Sequence, residues 1–388
     1  MAAPASDKAA SAPNVLFCTL SIFNEIGGIQ QFNQRIIDAA RASFGHEIGN
    51  LVVLSLADSS PMPGQRETVM IGCGGHRARY VVEFINCLIK YHPALILFGH
   101  INLALLGIVA RIVAPRAACA LFVHGIEVWN DRRYRSRRWY EPWLIKHFIA
   151  CVISVSGFTA EVMKWQFHLR RTRFEILPNA VDLDDGAASA RPPPRAAEHP
   201  PTLISVTRLA DRYKGIEKVI NAVVRLRPRL PTIEYHIVGD GPMKAELMAQ
   251  ARALGLADAV HFHGEVTAEG LAALYRSADI FVLPSQKEGF GIVFLEAWKY
   301  GLPVICGGVD ASPEVVLDGN SGIVIDPNDV TGLADAIERL VREPARRARL
   351  AENGLARLRR NYTHPIFVRT FRAILAKLLA GNRSAPAE

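Results

Sequence analysis

Two carboxylates eight positions apart, Glu288 and Glu296, enclose Gly289-Phe290-Gly291-Ile292-Val293-Phe294-Leu295, directly after the apolar run Ile280 to Ser285. That run predicts a buried parallel strand. With a helix starting near Phe290, Glu288 lies in the loop at the helix's positive end and Glu296 about two turns inside, on roughly the same face. Gly289 and Gly291 carry no side chains, so the N–H groups of Phe290 and Gly291 can come close to an anion. N–H groups for a charge and carboxylates for hydroxyls suit a phosphate flanked by hydroxylated rings. The same spacing also fits a plain strand-loop-helix unit with two surface glutamates, and other parts of the chain must separate the two.

Positive charge stands in a matching place. Arg208 follows the end of a predicted strand, Thr202 to Val206, and Lys214 lies six residues on in the next loop. Open α/β sheets bind ligands outside the carboxyl ends of their strands, which is where both residues fall. Arginine offers a planar fork to phosphate oxygens and lysine a point charge; Arg212, between them, is read as solvated. Gly27-Gly28 precede a helix predicted from Ile29 and let backbone approach a phosphate. Without the full G-x-G-x-x-G, a nicotinamide dinucleotide is not supported. His124-Gly125 ends another predicted strand, where a lone histidine is more often a satisfied core residue. Asp182-Leu183-Asp184 has the D-x-D form of some metal sites but reads as a turn beside a linker, so no metal is expected.

The elements that must hold these residues alternate between apolar runs and segments of helical period, the pattern of parallel α/β sheets. In the first half, strands are predicted at Asn14–Thr19, Leu51–Leu56, Leu95–Phe98, Ala120–His124, Val152–Ser156 and Phe174–Leu177, with helices such as Ile29–Ala42 and Arg77–Lys90. In the second half they are predicted at Thr202–Val206, Glu234–Val238, Val260–His263, Ile280–Pro284, Pro303–Cys306 and Gly322–Ile325. Helices follow at Gly332–Arg342, Ala345–Asn361 and Pro365–Leu379. Residues 184–200, with Pro192-Pro193-Pro194, offer little to pack and predict a linker. The 388 residues exceed the roughly 250–300 at which chains divide, so two domains are expected, 14–183 and 201–363, after a disordered tail at 1–13.

Six cysteines without a C-x-x-C pair predict buried thiols and a cytoplasmic protein; the Ala-, Ser- and Pro-rich start does not resemble a signal peptide. The most hydrophobic window, Ala94 to Ala114, contains His100, Asn102 and Arg111 and predicts a strand and a helix rather than a membrane span. The net charge of +8 has a local component. Arg132, Arg133, Arg135, Arg137 and Arg138 are interleaved with Trp129, Tyr134, Trp139, Tyr140 and Trp143. This mixture suits an anionic headgroup layer on the inner face of a membrane, and equally a solvated loop with its aromatics on the core. No nucleic-acid fold signature accompanies it.

Glu288 to Glu296 resembles the E-x7-E signature of retaining GT-B glycosyltransferases of the glycogen-synthase-like and mannosyltransferase-like group, family four. Ser205 to Leu209, Lys214-Gly215, Val238 to Pro242, Pro303 to Ile305, and Pro313 to Val316 with Asp318-Gly319 and Gly322 follow that family's order. Gly27-Gly28, His124-Gly125, Ser154 to Ser156 and Pro178 to Asp182 match it more loosely. The resemblance implies two Rossmann-like domains with parallel sheets facing across a cleft, and a final helix, about 364–380, returning to the first domain. It implies that Arg208 and Lys214 hold the donor diphosphate, that Glu288 holds donor-sugar hydroxyls, and that Glu296 holds the nucleotide ribose. His124 would approach the donor sugar, and Gly28, Gly239, Gly241, Phe290 and Gly291 would bring backbone to the donor. The implied reaction retains anomeric configuration without a metal or cofactor, the leaving phosphate helping to deprotonate the acceptor.

Gly27 to Phe32 and Gly307 to Glu314 resemble bacterial mannosyltransferases that build lipid-linked exopolysaccharide, which favours GDP-mannose over a UDP-hexose as donor and a saccharide or lipid-linked saccharide as acceptor. A sugar-nucleotide epimerase or phosphorylase on the same architecture and a catalytically silent binding protein are the alternatives. An epimerase would need acid/base residues that have no place here, and silence would predict loss of Arg208, Lys214 or Glu288, all of which are present.

Overall fold

The computed structural model describes residues 12–24, 27–43, 48–60, 62, 68–131, 135–183 and 199–383. Two compact units emerge: residues 1–155, 160–177 and 367–388 form one, and residues 156–159 and 178–366 the other.

The first unit carries β1 (Val15–Thr19), α1 (Gly28–Arg41), β2 (Leu51–Ser55), β3 (Thr68–Gly72), α2 (Arg77–Tyr91), β4 (Leu95–Phe98), α3 (Leu106–Val113), β5 (Ala118–Val123), α4 (Glu141–Phe148), β6 (Cys151–Ser154), most of α5 (Gly157–Gln166) and β7 (Arg173–Ile176). The second carries β8 (Thr202–Val206), α6 (Ile216–Leu226), β9 (Glu234–Val238), α7 (Lys244–Ala253), β10 (Val260–Gly264), α8 (Ala268–Ser277), β11 (Ile280–Leu283), α9 (Ile292–Lys299), β12 (Val304–Gly307), α10 (Ser312–Val315), β13 (Gly322–Ile325), α11 (Val330–Arg342) and α12 (Pro344–Asn361). The last helix, α13 (His364–Arg383), joins the first unit from Phe367 onward.

Each unit has one sheet, ordered β3-β2-β1-β4-β5-β6-β7 and β10-β9-β8-β11-β12-β13, and the pairs are parallel throughout. The chain thus forms two Rossmann-like domains. Central strands such as β1, β2, β4 and β11 are buried along their whole length, which is why they are unbroken apolar runs: helices cover both faces and no position need be polar. Strand β3 was not expected. It lies at the edge and is partly open to solvent in its middle, so it lacks the continuous apolar signal. The passage from first to second unit falls at Pro178, ahead of the expected linker, because Val181 pairs with Thr363 in the second unit. Residues 184–198 of that linker, Asp184 among them, and the tail 1–11 lie outside the described residues.

Helix α13 binds the first unit through its apolar face: Phe367 and Phe371 are buried, and the Phe367 ring meets Phe32 edge-on at 5.6 Å. Lys377 reaches Glu175 at 2.9 Å on the same surface. All six cysteines are buried thiols without disulfides; burial first of all raises Cys87 and Cys119 to about 12, so they pack as small apolar groups. Among the described residues no helix is long and apolar enough to cross a membrane, and the window Ala94 to Ala114 divides into β4, a 3-10 turn at Ile101–Leu103 and α3.

Candidate active site

In the second unit the strand order turns back between β8 and β11, which are neighbours in the sheet. Successive loops leave in opposite directions at such a point and open a crevice over the strand ends. The loop after β8 holds Arg208 and Lys214; the loop after β11 holds Glu288, Phe290 and Gly291. Two segments some seventy positions apart in sequence therefore share one site because β8 and β11 are adjacent.

Gly215 sets their closeness. It caps the 3-10 turn Arg212–Lys214 with φ +74, and a Cβ there would lie 2.6 Å from the Pro284 carbonyl oxygen, so only glycine lets the loops touch. Beside it the Gln286 N–H donates to the Tyr213 carbonyl at 2.8 Å. Lys214 Nζ consequently forms an ion pair with Glu288 Oε1, the two side chains 15% and 13% exposed. Burial pulls the Lys214 pKa down, but the charge of Glu288, with Tyr213 and Asp310 behind it, outweighs burial and holds it above the usual value. The ammonium stays charged.

Asp310, from the loop after β12, organises the same corner. It is buried and accepts from the Glu288 N–H at 2.7 Å, the Ser285 hydroxyl at 2.9 Å and the Ser312 N–H at 2.9 Å. Burial and then the Glu288 charge raise its pKa to about 6, against the lowering hydrogen bonds from Ser312 and the Glu288 N–H.

Arg208 is exposed on its loop. That loop is tied to Gly239-Asp240-Gly241, since the Leu209 N–H donates to the Asp240 carbonyl at 2.9 Å and the Met243 N–H to the Leu209 carbonyl at 3.0 Å. The glycine turn therefore sits directly beside the Arg208 strand end. Arg212, expected to be solvated, is exposed but ion-paired with Glu246.

The helix carrying Glu296 begins at Ile292, two residues later than the sequence suggested. Gly291 is its N-cap in the left-handed region, φ +87, with no side chain capping the first turn. Uncapped N–H groups at that end remain available to an anion. Phe290 is buried, its ring edge-on to Tyr362 at 5.5 Å, so its side chain anchors the loop and only its backbone suits a ligand. Glu296 accepts from the buried Tyr275 hydroxyl at 3.0 Å.

His124 belongs to the first unit, one residue past β5. Its Nε2 lies 3.1 Å from the Gly99 carbonyl oxygen, which can only accept, so Nε2 carries the proton and Nδ1 the lone pair. Burial is the main cause of a lowered pKa, which keeps the ring neutral, and Phe32 packs edge-on to it at 5.0 Å. Buried Glu127 accepts the N–H groups of both His124 and Gly125 at 2.9 Å. Gly28 opens α1, and a Cβ there would meet nothing within 4 Å. The preceding loop is held by buried Asp58, which accepts from the N–H groups of Ile22, Phe23 and Asn24 at 2.8, 2.9 and 3.1 Å.

Sequence reasoning missed Asp58, Glu127 and Asp310. Each is a single acid after a strand whose role is to gather backbone N–H groups, and the only advance signal is an acidic residue within a polar loop that must fold tightly. It missed a further grouping as well: Glu234, His236 and His261, whose ligand atoms lie within 4.8 Å of one another on β9 and β10. Asp182 is described, but Asp184 is not.

The arginine-aromatic segment is also revised. Arg132, Arg133 and Tyr134 lie outside the described residues. Arg135 is only 11% exposed and is ion-paired with buried Glu141, so it is structural. Arg137 donates to the Gln166 carbonyl and Arg138 to the Tyr140 hydroxyl, both on the surface. Trp129 packs on the core, whereas Trp139 and Trp165 are 88% and 77% exposed.

Comparison with known proteins agrees with this arrangement. The family model "Glycosyl transferases group 1" matches residues 188–357, and "Glycosyltransferase Family 4" matches residues 26–185. A Mycolicibacterium smegmatis protein named GDP-mannose-dependent alpha-(1-6)-phosphatidylinositol monomannoside mannosyltransferase is 33% identical over 305 residues, covering 73% of this chain and 75% of the relative. Among solved structures, sucrose-phosphate synthase from Thermosynechococcus elongatus matches with a TM-score of 0.76 at 21% identity, over 95% of this chain and 100% of that one. Anabaena HepE in complex with UDP-glucose matches with a TM-score of 0.73 at 19% identity, over 94% and 100%. At these identities the two structures speak for the fold.

Proposed function

The chain belongs to the group 1 glycosyltransferases, in family four with the GT-B fold, and from that premise we propose that it moves a hexose, mannose by preference, from GDP-mannose to a saccharide or lipid-linked saccharide with retention of configuration. The observation that carries the reading is the Lys214–Glu288 pair at the β8/β11 crevice, a fixed cation and a fixed carboxylate beside the uncapped start of α9. Lys214 and Arg208 meet the diphosphate, the α9 N–H groups share its charge, and Glu288 accepts from donor-sugar hydroxyls; Glu296 serves the ribose. The bond from the anomeric carbon to the phosphate oxygen breaks, the acceptor oxygen bonds to the same face, and the acceptor proton passes to the departing phosphate. Electrostatic stabilisation of that leaving group is the main contribution of the protein.

Support for mannose and for a lipid-linked acceptor comes from the name of the mycobacterial relative; a UDP-sugar complex of a fold neighbour keeps UDP-hexose as the competing donor. Thermal-shift measurements across GDP- and UDP-sugars, followed by transfer assays with and without EDTA, test the reading. GDP-mannose is expected to give the largest stabilisation, and transfer to survive EDTA. A larger shift with a UDP-hexose overturns the donor assignment, loss of transfer in EDTA restored by Mg²⁺ overturns metal independence, and no shift with any nucleotide sugar overturns the function.

A lipid-linked acceptor calls for proximity to a membrane, and we place the protein peripherally on the cytoplasmic face through Arg137, Arg138 and exposed Trp139 and Trp165, together with Arg132 and Arg133. Each arginine near anionic lipid contributes roughly 1 kcal/mol, screened by salt. Co-sedimentation with anionic but not neutral vesicles is expected at low salt, with most binding lost when Arg132, Arg133, Arg137 and Arg138 become Ser. Equal sedimentation of variant and wild type overturns the placement.

A further inference from the structure

Glu234 and His236 alternate on β9, so both project from the same face of the sheet, and His261 on β10 is the register partner of His236. His263 follows two residues along the same face of β10. The opposite face of β9, Tyr235 and Ile237, is fully buried, so this one carries polar side chains at the sheet edge, where β10 is the outermost strand. Glu234 Oε2 lies 3.2 Å from His236 Nε2 and 4.0 Å from His261 Nε2. On its other side, His236 Nδ1 lies 2.9 Å from His263 Nε2.

We propose that Glu234, His236 and His261 form a binding site for a zinc-class divalent cation, with His263 orienting His236 from behind. The spacing suits it. A tetrahedral ion with bonds of about 2.0–2.1 Å separates its ligand atoms by about 3.4 Å, and the two carboxylate-to-imidazole distances bracket that value. Three protein ligands of N and O type with a side open to solvent leave a fourth position for water.

With no ion present, His236 Nε2 faces the Glu234 carboxylate, which can only accept, so Nε2 carries the proton and Nδ1 accepts from His263 Nε2–H. Ion binding takes the other tautomer, in which the Nε2 lone pair faces the ion and Nδ1–H is donated to His263, the arrangement that orients metal-binding histidines. The ion ties edge strand β10 to β9. It lies at a different part of the sheet from the Lys214–Glu288 pair and is structural rather than part of transfer chemistry, so transfer that survives EDTA leaves the proposal intact.

Calorimetric titration of the full chain, prepared without a polyhistidine tag, with ZnCl₂ provides the test. One equivalent of Zn²⁺ is expected to bind and to raise the unfolding temperature. His236→Ala and His261→Ala are expected to abolish that binding, and His263→Ala to weaken it about 10- to 100-fold, the usual effect of losing an orienting partner. Metal-free unfolding temperatures near wild type in the variants show that the fold is retained; Glu234→Gln, which keeps the side-chain shape, supplies a second measurement should a histidine variant fail to fold, and is expected to weaken binding at least tenfold. Absence of Zn²⁺ binding by the wild type, or binding of equal affinity in His236→Ala, His261→Ala or Glu234→Gln, overturns the site.

Discussion

Lys214→Ala and Glu288→Ala are each expected to lower the rate of glycosyl transfer about 10²–10³-fold, the effect of losing one pre-organised contact to a transition state. The structure adds a second consequence. Because the two side chains are only 15% and 13% exposed and paired with one another, each single variant leaves a poorly compensated charge behind. Its unfolding temperature should fall while unfolding stays cooperative. The double variant Lys214→Met/Glu288→Gln removes both charges together and should recover part of the lost stability but none of the activity. That split separates a catalytic role from a structural one: recovery of transfer with recovery of stability, or near wild-type turnover by either single variant, would remove both residues from the site.

Asp310→Ala should lower kcat/KM about 10²-fold without touching substrate, because a misplacement of about 1 Å in a reacting group suffices for that loss and Asp310 holds the Glu288 backbone through its N–H. Its titration gives an independent signature. The folded-state pKa of about 6 lies above the unfolded value of about 3.9, so the folded protein binds more protons between them. The stability contributed by the protonated carboxyl is fully present below the unfolded value and is lost as pH rises through about 6. Two pKa units correspond to about 3 kcal/mol at most. Denaturant unfolding at a series of pH values from 4 to 7 should therefore show wild type losing stability relative to Asp310→Ala as pH rises. Parallel pH profiles would show that burial and Glu288 do not raise this carboxyl.

Much of the fold was legible because a strand covered on both faces has to be apolar along its length. Leu51 to Ser55 and Ile280 to Leu283 announce themselves in that way, whereas Thr68 to Gly72, an edge strand open in the middle, does not. The start of α9 was misplaced by two residues because Gly291 adopts a left-handed cap that glycine permits but does not demand. The segment around Arg135 read as uniformly basic; burial against Glu141 withdrew one of its charges, a fact of packing and not of composition.

The candidate site divides along the same line. By itself the sequence determined the residue types and their local settings: glutamates flanking a helix start, an arginine and a lysine beyond a strand, glycines where backbone must come close. These are local properties, fixed by hydrophobic period and by the conformations that glycine alone tolerates. Only the tertiary structure decided which of them meet. The parallel order β9-β8-β11-β12 brings Lys214 to Glu288 and Asp310 beneath the Glu288 N–H, and the pairing of β9 with β10 sets His261 beside His236. Adjacency between distant segments depends on sheet order and register, which follow from burying all the apolar faces at once, and no single stretch of chain contains that information.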